Sequence, residues 1–200
     1  MSDVYQHPNA LIDDGAAIGT GTRVWAFAHI VKGATVGRDC NICDHTFIEG
    51  GVRIGDRVTV KCGVYLWEGI EVQDDAFIGP CAAFTNSLYP RSKQYPLEYP
   101  KTILRQGCSI GANATILTGI TIGRWSMIGA GSVVNKNVAD YALVVGNPAR
   151  PKGWICRCGS PLPIDTNGVL RCKCGRLFKV RADQQIEEAT IGDRSPAQDC

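Results

Sequence analysis

The sequence lacks long apolar segments: no run of about eighteen consecutive apolar residues occurs in its 200 residues. A helix needs about that length to span a bilayer, so we expect no membrane insertion. The N-terminal residues MSDVYQHPNALID contain neither a basic nor an apolar region, which predicts no signal peptide and a cytoplasmic protein. The net charge of +2 comes without a dense basic run, so we expect no nucleic-acid partner.

Cysteine, in contrast, is abundant, with 10 residues in the chain. Without a secretion signal, this number indicates a reducing compartment in which thiols stay free or bind metal rather than form disulfides. Five of them are scattered before residue 110, and Cys40 and Cys108 fall at small, inward-facing positions of the pattern described next. No cysteine stands at a convincing spacing from a histidine, which argues against a covalent thiol nucleophile.

An apolar residue recurs at every sixth position along most of the chain. All thirteen residues reached in steps of six from Ile12 to Phe84 are apolar, and six more follow at the same step from Leu104 to Val134. Neither an amphipathic helix nor a simple hairpin array has this period. Glycine often follows the apolar position, and we assign it to the positive φ of a sharp corner: Gly19, Gly37, Gly55, Gly79, Gly111, Gly123 and Gly129.

This period predicts an all-β fold, a parallel β-helix built from hexapeptide repeats. Three hexads form one triangular coil of eighteen residues, and the coils stack as parallel ladders around an apolar prism. Residues eighteen apart then lie one rung apart, about 4.8 Å. The spacing gathers polar and aromatic side chains of successive coils at one corner, among them Phe27, His29, His45, Phe47, Glu49, Tyr65, Trp67 and Glu68.

The period breaks once, in the segment AAFTNSLYPRSKQYPLEYPKTIL at 82–104. Phe84 and Leu104 are twenty residues apart where one hexad needs six, so about fourteen residues are inserted. We predict a loop at 86–103 that leaves the prism at the polar corner. A rigid repeat does not need such an insertion, which favours a functional loop over a tolerated surface insertion.

Seven ordered motifs within residues 7 to 154 resemble one known family. The strings RVWAFAHI, CNICDHTFIE, VYLWEGIEV, IGPCAAFTNSLYPRSKQYP, GANATILTGITIG, MIGAGSVV and VVGNPAR are similar to hexapeptide-repeat acetyltransferases. Within them the chain resembles N-acetyltransferases of nucleotide-linked 3-amino sugars, dTDP-3-amino-3,6-dideoxyhexoses above all, with UDP-2-acetamido-3-amino-2,3-dideoxyglucuronate as the sister group. The resemblance implies a left-handed coil, a homotrimer with sites between prisms, acetyl-CoA as co-substrate, and a role in cell-surface polysaccharide or lipopolysaccharide biosynthesis.

The resemblance also implies roles for individual residues. Asn86 would lie near the acceptor amine, and the loop after it would bind the nucleotide through Arg91, Lys93 and Tyr95. The backbone around Ala112 and Ala130 would bind the pantetheine of the coenzyme, whose close approach needs small residues. The motif GNPAR would end the last coil, with Asn147, Pro148 and Arg150 beside the coenzyme. Many family members have Asp after the string FTN, whereas this chain has Ser87.

Acetyl transfer to an amine needs a neutral nitrogen, a nearby carbonyl and a donor for the developing oxyanion. We expect Asn86 to orient the amine and the departing thiolate to take the proton. His45 is the competing catalytic base. His29, roughly 14 Å from Ala83 by the strand spacing, would instead reach a long nucleotide sugar or the site of a neighbouring chain. For both histidines the alternative is structural, a hydrogen bond along the ladder.

Two further residues at the corner are candidates for binding substrate. Glu68 could contact the sugar or its amine, and Trp67 could stack on a ring. For each the alternative is structural: Glu68 as a solvated corner residue, Trp67 as packing between prisms.

The string CRCGSPLPIDTNGVLRCKCGRLFKV after the last coil indicates a second module. It is typical of two cysteine knuckles joined by a hairpin with an Asn-Gly turn, and four thiolates suit a structural, tetrahedral Zn²⁺. The predicted ligands are Cys156, Cys158, Cys172 and Cys174. Their C-x-C spacing departs from the usual C-x2-C, and adventitious thiols remain the alternative.

We therefore predict three parts: a β-helix acetyltransferase domain at 1–153, a zinc-ribbon-like module at 154–182, and a disordered tail at 183–200. Two alternative functions remain open, namely O- or N-acetylation of another small acceptor and a non-catalytic β-helix scaffold. A three-histidine zinc enzyme on the same prism is disfavoured, because the sequence has only 3 histidines and no H-x4-H pair.

Overall fold

The computed structural model describes residues 3–163, 169–181 and 185–189. Across these residues the chain is all-β and contains no helix, so none of sufficient length and hydropathy to cross a bilayer is found there. Short parallel strands stack in three faces, which confirms the predicted β-helix of hexapeptide repeats.

The strands of the prism are mostly two residues long, and every third strand belongs to the same face. The first face contains β1 (Tyr5–Gln6), β4 (Arg23–Val24), β7 (Asn41–Ile42), β10 (Thr59–Val60), β13 (Phe77–Ile78), β16 (Ser109–Ile110), β19 (Met127–Ile128) and β21 (Ala142–Val145). The second contains β2 (Leu11–Ile12), β5 (His29–Ile30), β8 (Phe47–Ile48), β11 (Tyr65–Leu66), β14 (Ala83–Phe84), β17 (Thr115–Ile116) and β20 (Val133–Val134). The third contains β3 (Ala17–Ile18), β6 (Thr35–Val36), β9 (Arg53–Ile54), β12 (Ile70–Val72), β15 (Thr102–Leu104) and β18 (Thr121–Ile122).

The sixth-position apolar residues form the core of the prism. Ile30, Ile48 and Ile110 are fully buried, and burial of each such side chain contributes roughly 2 kcal/mol. The predicted core positions of Cys40 and Cys108 are confirmed, with 2% and 0% of their surface exposed. Every buried side-chain nitrogen or oxygen among the described residues has a hydrogen-bond partner, so the core is fully satisfied.

The corners require backbone in the left-handed region, but the prediction that Gly19 and its equivalents provide it is wrong. The glycines with positive φ include Gly33 and Gly51, at +85° and +84°. Gly19 and its equivalents are not among the residues of positive φ. A Cβ on Gly19 would lie 2.5 Å from the carbonyl carbon of Gly37, so glycine is needed there because the next rung approaches too closely.

The inserted loop is also confirmed in length. Partners on the first face are eighteen residues apart before it, as in Val60↔Ile78, and thirty-two apart across it, as in Ile78↔Ile110, so fourteen residues are extra. The loop ends earlier than predicted, because Thr102 and Ile103 already pair with Ile70 and Glu71 in the third face. Hydrogen bonding in the ladder thus extends the strand to Thr102.

The boundary predicted at residue 154 falls inside a strand. β22 (Arg150–Ile155) pairs antiparallel with β21 and then with β23 (Pro161–Leu162), so the first face continues from the prism into the cysteine module. Trp154 packs against the apolar clusters of both parts. The two units therefore share one strand rather than meet at a linker.

The cysteine module ends later than predicted. β24 (Val169–Arg171), β25 (Leu177–Val180) and β26 (Ile186–Glu188) form one antiparallel sheet, although 183–200 was expected to be a disordered tail. Ile186 is 4% exposed because it packs in the apolar cluster of the module. The remaining predicted tail at 190–200 and the predicted Asn-Gly turn at 167–168 lie outside the described residues.

Candidate functional site

An aromatic groove of about 360 Å³ lies on the second face and its corners. We name the aromatic groove by its lining residues, Phe27, His29, His45, Thr46, Phe47, Tyr65 and Trp67. Their rings stack along successive rungs, with centroids 5.0 Å apart for Phe27 and His45 and 5.7 Å apart for Phe47 and Trp67. The corner side chains that the eighteen-residue spacing brings together are thus adjacent in space.

The two histidines of the aromatic groove differ in their surroundings. His29 Nε2 lies 3.0 Å from Asp13 Oδ1, and the backbone N–H of Lys32 donates to the other oxygen of Asp13. The hydrogen bond with His29, followed by that from Lys32, lowers the pKa of the Asp13 carboxyl. His45 is exposed and lies at a corner with φ of 57°. His29 is therefore held by a carboxylate, whereas the ring of His45 packs against the ring of Phe27.

Trp67 is placed where the inserted loop begins. Among the described residues β11 and β14 form no ladder, although they are consecutive rungs of the second face. The indole Nε1 of Trp67 donates to the carbonyl of Phe84 at 2.9 Å. A side chain therefore holds the rung from which the chain leaves the prism.

Asn86 is half-buried just after β14, and its amide side chain has no hydrogen-bond partner among the described residues. Arg91, Lys93 and Tyr95 are exposed further along the loop, Tyr95 at 81%. The Arg91 guanidinium donates to the carbonyl of Pro90, and an isolated bridge joins Arg91 to Gln94. These residues do not line the aromatic groove of the same chain.

Glu68 faces a second pocket, of about 440 Å³, between the returning loop and the third face. Arg53, Glu98, Tyr99 and Lys101 line it as well. The backbone N–H of Glu68 donates to the Glu49 carboxylate at 2.7 Å. The pocket combines carboxylates with two cations, and its loop side was missed because the return path of the loop has no periodic signal.

The predicted coenzyme residues Ala112 and Ala130 lie on the rungs that follow the inserted loop. A Cβ on Gly111 would lie 2.5 Å from the Ala130 nitrogen, and one on Gly79 would lie 2.8 Å from the Ala112 nitrogen. The carbonyl of Ala112 accepts from the Gly131 N–H at 2.9 Å. No acceptor among the described residues takes the N–H of Ala112 or Ala130, so both stay available to a ligand.

The hairpin of β21 and β22 closes a pocket of about 510 Å³ at the end of the prism, here named the end pocket. The turn between the two strands carries the GNPAR motif, with a cis bond between Asn147 and Pro148. Arg150 lines the end pocket together with Lys136, Gly153 and Trp154. Lys136 was not predicted from the sequence. The available signal was its position as a basic residue two positions after Val134, the last regular apolar position.

The four predicted cysteines converge in the second module. Their sulfurs all lie within 4.8 Å of one another, with 3.6 Å between Cys156 and Cys174 and 3.4 Å between Cys158 and Cys172. Tetrahedral zinc with bonds of about 2.3 Å separates its sulfurs by about 3.8 Å, so the donor set fits. The two C-x-C-G turns have one geometry, because Cys156 N–H bonds Ser160 O and Cys172 N–H bonds Arg176 O in the same way.

Electrostatics favour thiolates at two of these positions. Hydrogen bonding with Ser160 lowers the pKa of Cys158 to about 6. Hydrogen bonding with Arg176, first from its backbone, lowers the pKa of Cys174. Burial raises the pKa of Cys156, and a metal would have to offset that cost.

Trp67 joins the aromatic groove to the root of the loop with Asn86, whereas the end pocket and the cysteine cluster are separate features. Sequence reasoning missed Asp13 because it pairs with His29 at a distance of sixteen residues, two less than one full coil. A search of the residues within two positions of one full coil from each histidine would have found Asp13.

Comparison with known proteins identifies the family. Residues 101–136 match the model "Bacterial transferase hexapeptide (six repeats)", and 33–68 match "Hexapeptide repeat of succinyl-transferase". The dTDP-3-amino-3,6-dideoxy-alpha-D-galactopyranose 3-N-acetyltransferase of Aneurinibacillus thermoaerophilus is 50% identical over 187 residues, which cover 94% of this chain and 96% of that protein. The chain belongs to the hexapeptide-repeat acetyltransferases.

Solved structures agree with membership of the hexapeptide-repeat acetyltransferases. The UDP-N-acetylglucosamine acyltransferase of Bacteroides fragilis has a TM-score of 0.64 at 19% identity, covering 76% of this chain and 62% of its own, and supports the fold alone. A hexapeptide-repeat acetyltransferase of Vibrio cholerae O1 biovar eltor, solved with acetyl coenzyme A, has a TM-score of 0.52 at 29% identity and covers 70% of each chain. The predicted enzyme class, an acyltransferase, is confirmed.

Proposed function

We propose that the protein transfers the acetyl group of acetyl-CoA to the 3-amino group of a dTDP-linked 3-amino-3,6-dideoxyhexose. The observation that carries the proposal is the 50% identity to the Aneurinibacillus thermoaerophilus enzyme over 94% of this chain, the prism and cysteine module together. The enzyme would act in the cytoplasm, and its product would be used to build a cell-surface polysaccharide or lipopolysaccharide. A UDP-linked 3-amino sugar is the second candidate acceptor.

The coenzyme fits the C-terminal half of the prism. The free N–H groups of Ala112 and Ala130 would hydrogen-bond the pantetheine carbonyls, and the absence of side chains at Gly79 and Gly111 lets these backbone groups pack closely. Arg150 and Lys136, at the end pocket, supply positive charge for the coenzyme phosphates.

The acceptor would enter at the root of the loop. The unpartnered amide of Asn86 would orient the neutral amine toward the thioester carbonyl, and a backbone N–H would stabilise the oxyanion. The thiolate that leaves the carbonyl would accept the amine proton, so no strong base is needed. His45 is the alternative proton acceptor; it is exposed, and its ring packs against Phe27.

Binding of the rest of the acceptor requires groups that one chain keeps apart. Arg91, Lys93 and Tyr95 extend into solvent, while His29, Trp67 and Glu68 line the two pockets beside the loop. We propose a homotrimer in which the loop covers a neighbouring prism, so that the nucleotide contacts residues of two subunits. The exposed apolar loop residues, Leu88, Tyr89, Tyr95 and Leu97, would then be covered.

A thiol-release assay with acetyl-CoA and a panel of acceptors tests the proposal. We expect turnover with dTDP-3-amino-3,6-dideoxyhexoses at a kcat/KM at least tenfold above that for UDP-3-amino sugars, which is a difference of about 1.4 kcal/mol. Equal turnover of both nucleotides, or preference for UDP, would move the assignment to the second candidate. Release with hydroxyl acceptors alone would favour O-acetylation. No release at all, with tight binding to another protein, would favour a scaffold.

We also propose that Cys156, Cys158, Cys172 and Cys174 hold a structural zinc ion. The ion would supply cross-linking energy to a module whose apolar cluster has six buried residues in the part of the chain that the structure describes. Four thiolates would close its coordination sphere, so it would have no open position for catalysis. Metal analysis of freshly reduced protein should give about one zinc per chain; less than a tenth would reject the site.

A further inference from the structure

The cysteine module is tied to the prism by a chain of charged contacts centred on Glu188. One oxygen of Glu188 lies 3.2 Å from Arg176 Nε, and the other lies 3.5 Å from Arg157 Nη1. Arg176 in turn donates to the sulfur of Cys174 at 3.3 Å. Glu188 thus joins two arginines, each next to a predicted metal ligand.

Arg157 carries this connection to the prism. Its guanidinium carbon lies 4.4 Å above the centroid of the Trp125 ring, a distance at which a cation and an aromatic face attract each other. Trp125 is a corner residue with φ of 54°, and its ring lies directly against Gly107, where no side chain could fit. The ring is therefore a fixed platform on the prism.

The same module holds the base of the β21–β22 hairpin. Ile155 N–H donates to the carbonyl of Tyr141 at 2.8 Å, and the Tyr141 ring contacts Phe178 of the module at 5.2 Å. Cys156 follows Ile155 directly, and Arg150 begins the same strand at the other end of the hairpin. One strand therefore connects the cysteine cluster to the proposed coenzyme site.

We propose that Glu188 is a positioning residue for the coenzyme: by fixing Arg157 on Trp125 beside the four-cysteine cluster, it holds β22, Arg150 and the end pocket in register. The inference rests on the proposed function, since it takes the end pocket as part of the coenzyme site. The tip of the hairpin has its own bonds to the prism, from Ala149 N–H to Val133 O and from Val133 N–H to Gly146 O. Loss of Glu188 should therefore loosen the site and not abolish it.

A matched pair of variants in the full-length, zinc-loaded protein tests the inference. Glu188→Gln removes both ion pairs, whereas Glu187→Gln, one residue away on β26, removes a pair with Arg181 at 3.8 Å. In Glu188→Gln alone we expect faster hydrogen exchange in peptides covering 142–153. We also expect a Kd for acetyl-CoA raised about threefold, the scale of one partly exposed ion-pair network, with zinc content, kcat and acceptor KM unchanged.

Substitution of Trp125 provides a second test, in which a conservative variant should restore the wild-type behaviour. Trp125→Leu should reproduce the weaker acetyl-CoA binding and the faster exchange, while Trp125→Phe, which keeps an aromatic face for Arg157, should restore both.

Equal hydrogen exchange in Glu188→Gln and Glu187→Gln would overturn the inference. So would equal loss of acetyl-CoA binding in the two Trp125 variants, or a rise in acceptor KM matching that in the Kd. If the wild-type protein binds no acetyl-CoA, the proposed function fails, and the exchange comparison still decides whether Glu188 orders the hairpin.

Discussion

Asn86 is the residue on which the proposed chemistry depends, because its amide is half-buried, lies at the root of the loop and has no partner among the described residues. Replacement by Ala should lower kcat about 10²-fold, since a misplaced amine loses the near-attack geometry. The KM for acetyl-CoA should not change. Asn9→Ala, an exposed asparagine at the start of the prism, is the control. Unchanged kcat and KM in Asn86→Ala would leave the proposed mechanism without its main residue.

Cys108 gives a residue-level prediction for the core. Burial raises the pKa of its thiol to about 12, so the folded state disfavours the thiolate. The stability gained from the neutral thiol is fully present below the ordinary thiol pKa of about 8.5 and is lost as pH rises toward 12. The melting temperature of the wild type should exceed that of Cys108→Ala most clearly at neutral pH, and the difference should shrink above pH 9 or so.

Alkylation provides the matching chemical readout. Iodoacetamide at about pH 8 should modify Cys108 only after denaturation, because the reactive species is the thiolate. Modification of Cys108 in the folded protein at the rate of the exposed Cys62 would show that the core is open there.

At the scale of the repeat, some glycines are needed because the next rung lies too close for a Cβ, and others because their φ is positive. The backbone of Gly55 fills the space that a Cβ on Gly37 would need. A Cβ on Gly33 would make only an ordinary contact, 3.8 Å from the Gly51 nitrogen, but the φ of Gly33 is +85°. Gly37→Ala should reduce the free energy of unfolding by about 3 kcal/mol through overpacking, and Gly33→Ala by about 1 kcal/mol through backbone strain. Chemical denaturation of both variants measures this. A larger loss in Gly33→Ala would reverse the assignment of the two roles.

The faces, the register and the length of the insertion could be predicted from the period of six. Every hexad buries one apolar side chain, and a one-residue slip in register would expose all of these side chains. Thr102 was missed as a strand residue because a ladder partner, not a pattern, defines it. β26 was missed because its polar Glu187 and Glu188 hide a single buried residue, Ile186. Asp13 and Lys136 were missed because a periodic core pattern carries no information about which polar side chains meet outside it.

The inserted loop is expected to serve the function and not the stability of the prism. Within the described residues it is held to the prism by few bonds, such as the one from the Thr118 hydroxyl to the Pro100 carbonyl. Removal of the fourteen residues 87–100 restores the six-residue step at this corner. The shortened protein should therefore fold with a similar melting temperature and lose acetyl transfer. A collapse of the melting temperature would mean that the loop belongs to the scaffold.

At the scale of the whole molecule, we propose that the prism positions a thioester, that the loop presents an amine to it, and that the cysteine module holds the hairpin of the coenzyme site. In the proposed trimer, the exposed loop of one chain covers the aromatic groove of a neighbouring chain. Mass measurement in solution should therefore give three chains per particle. A monomer that is fully active would contradict the shared site.

Transfer of acetyl to an amine is tested most directly with two acceptors that differ in one heavy atom. Purified protein is mixed with acetyl-CoA and either a dTDP-3-amino-3,6-dideoxyhexose or the same sugar with a 3-hydroxyl group, and free coenzyme thiol is measured against acetylated sugar. We expect one thiol released per sugar acetylated with the amine, and none with the hydroxyl. Release with the hydroxyl sugar but not with the amine would contradict this expectation.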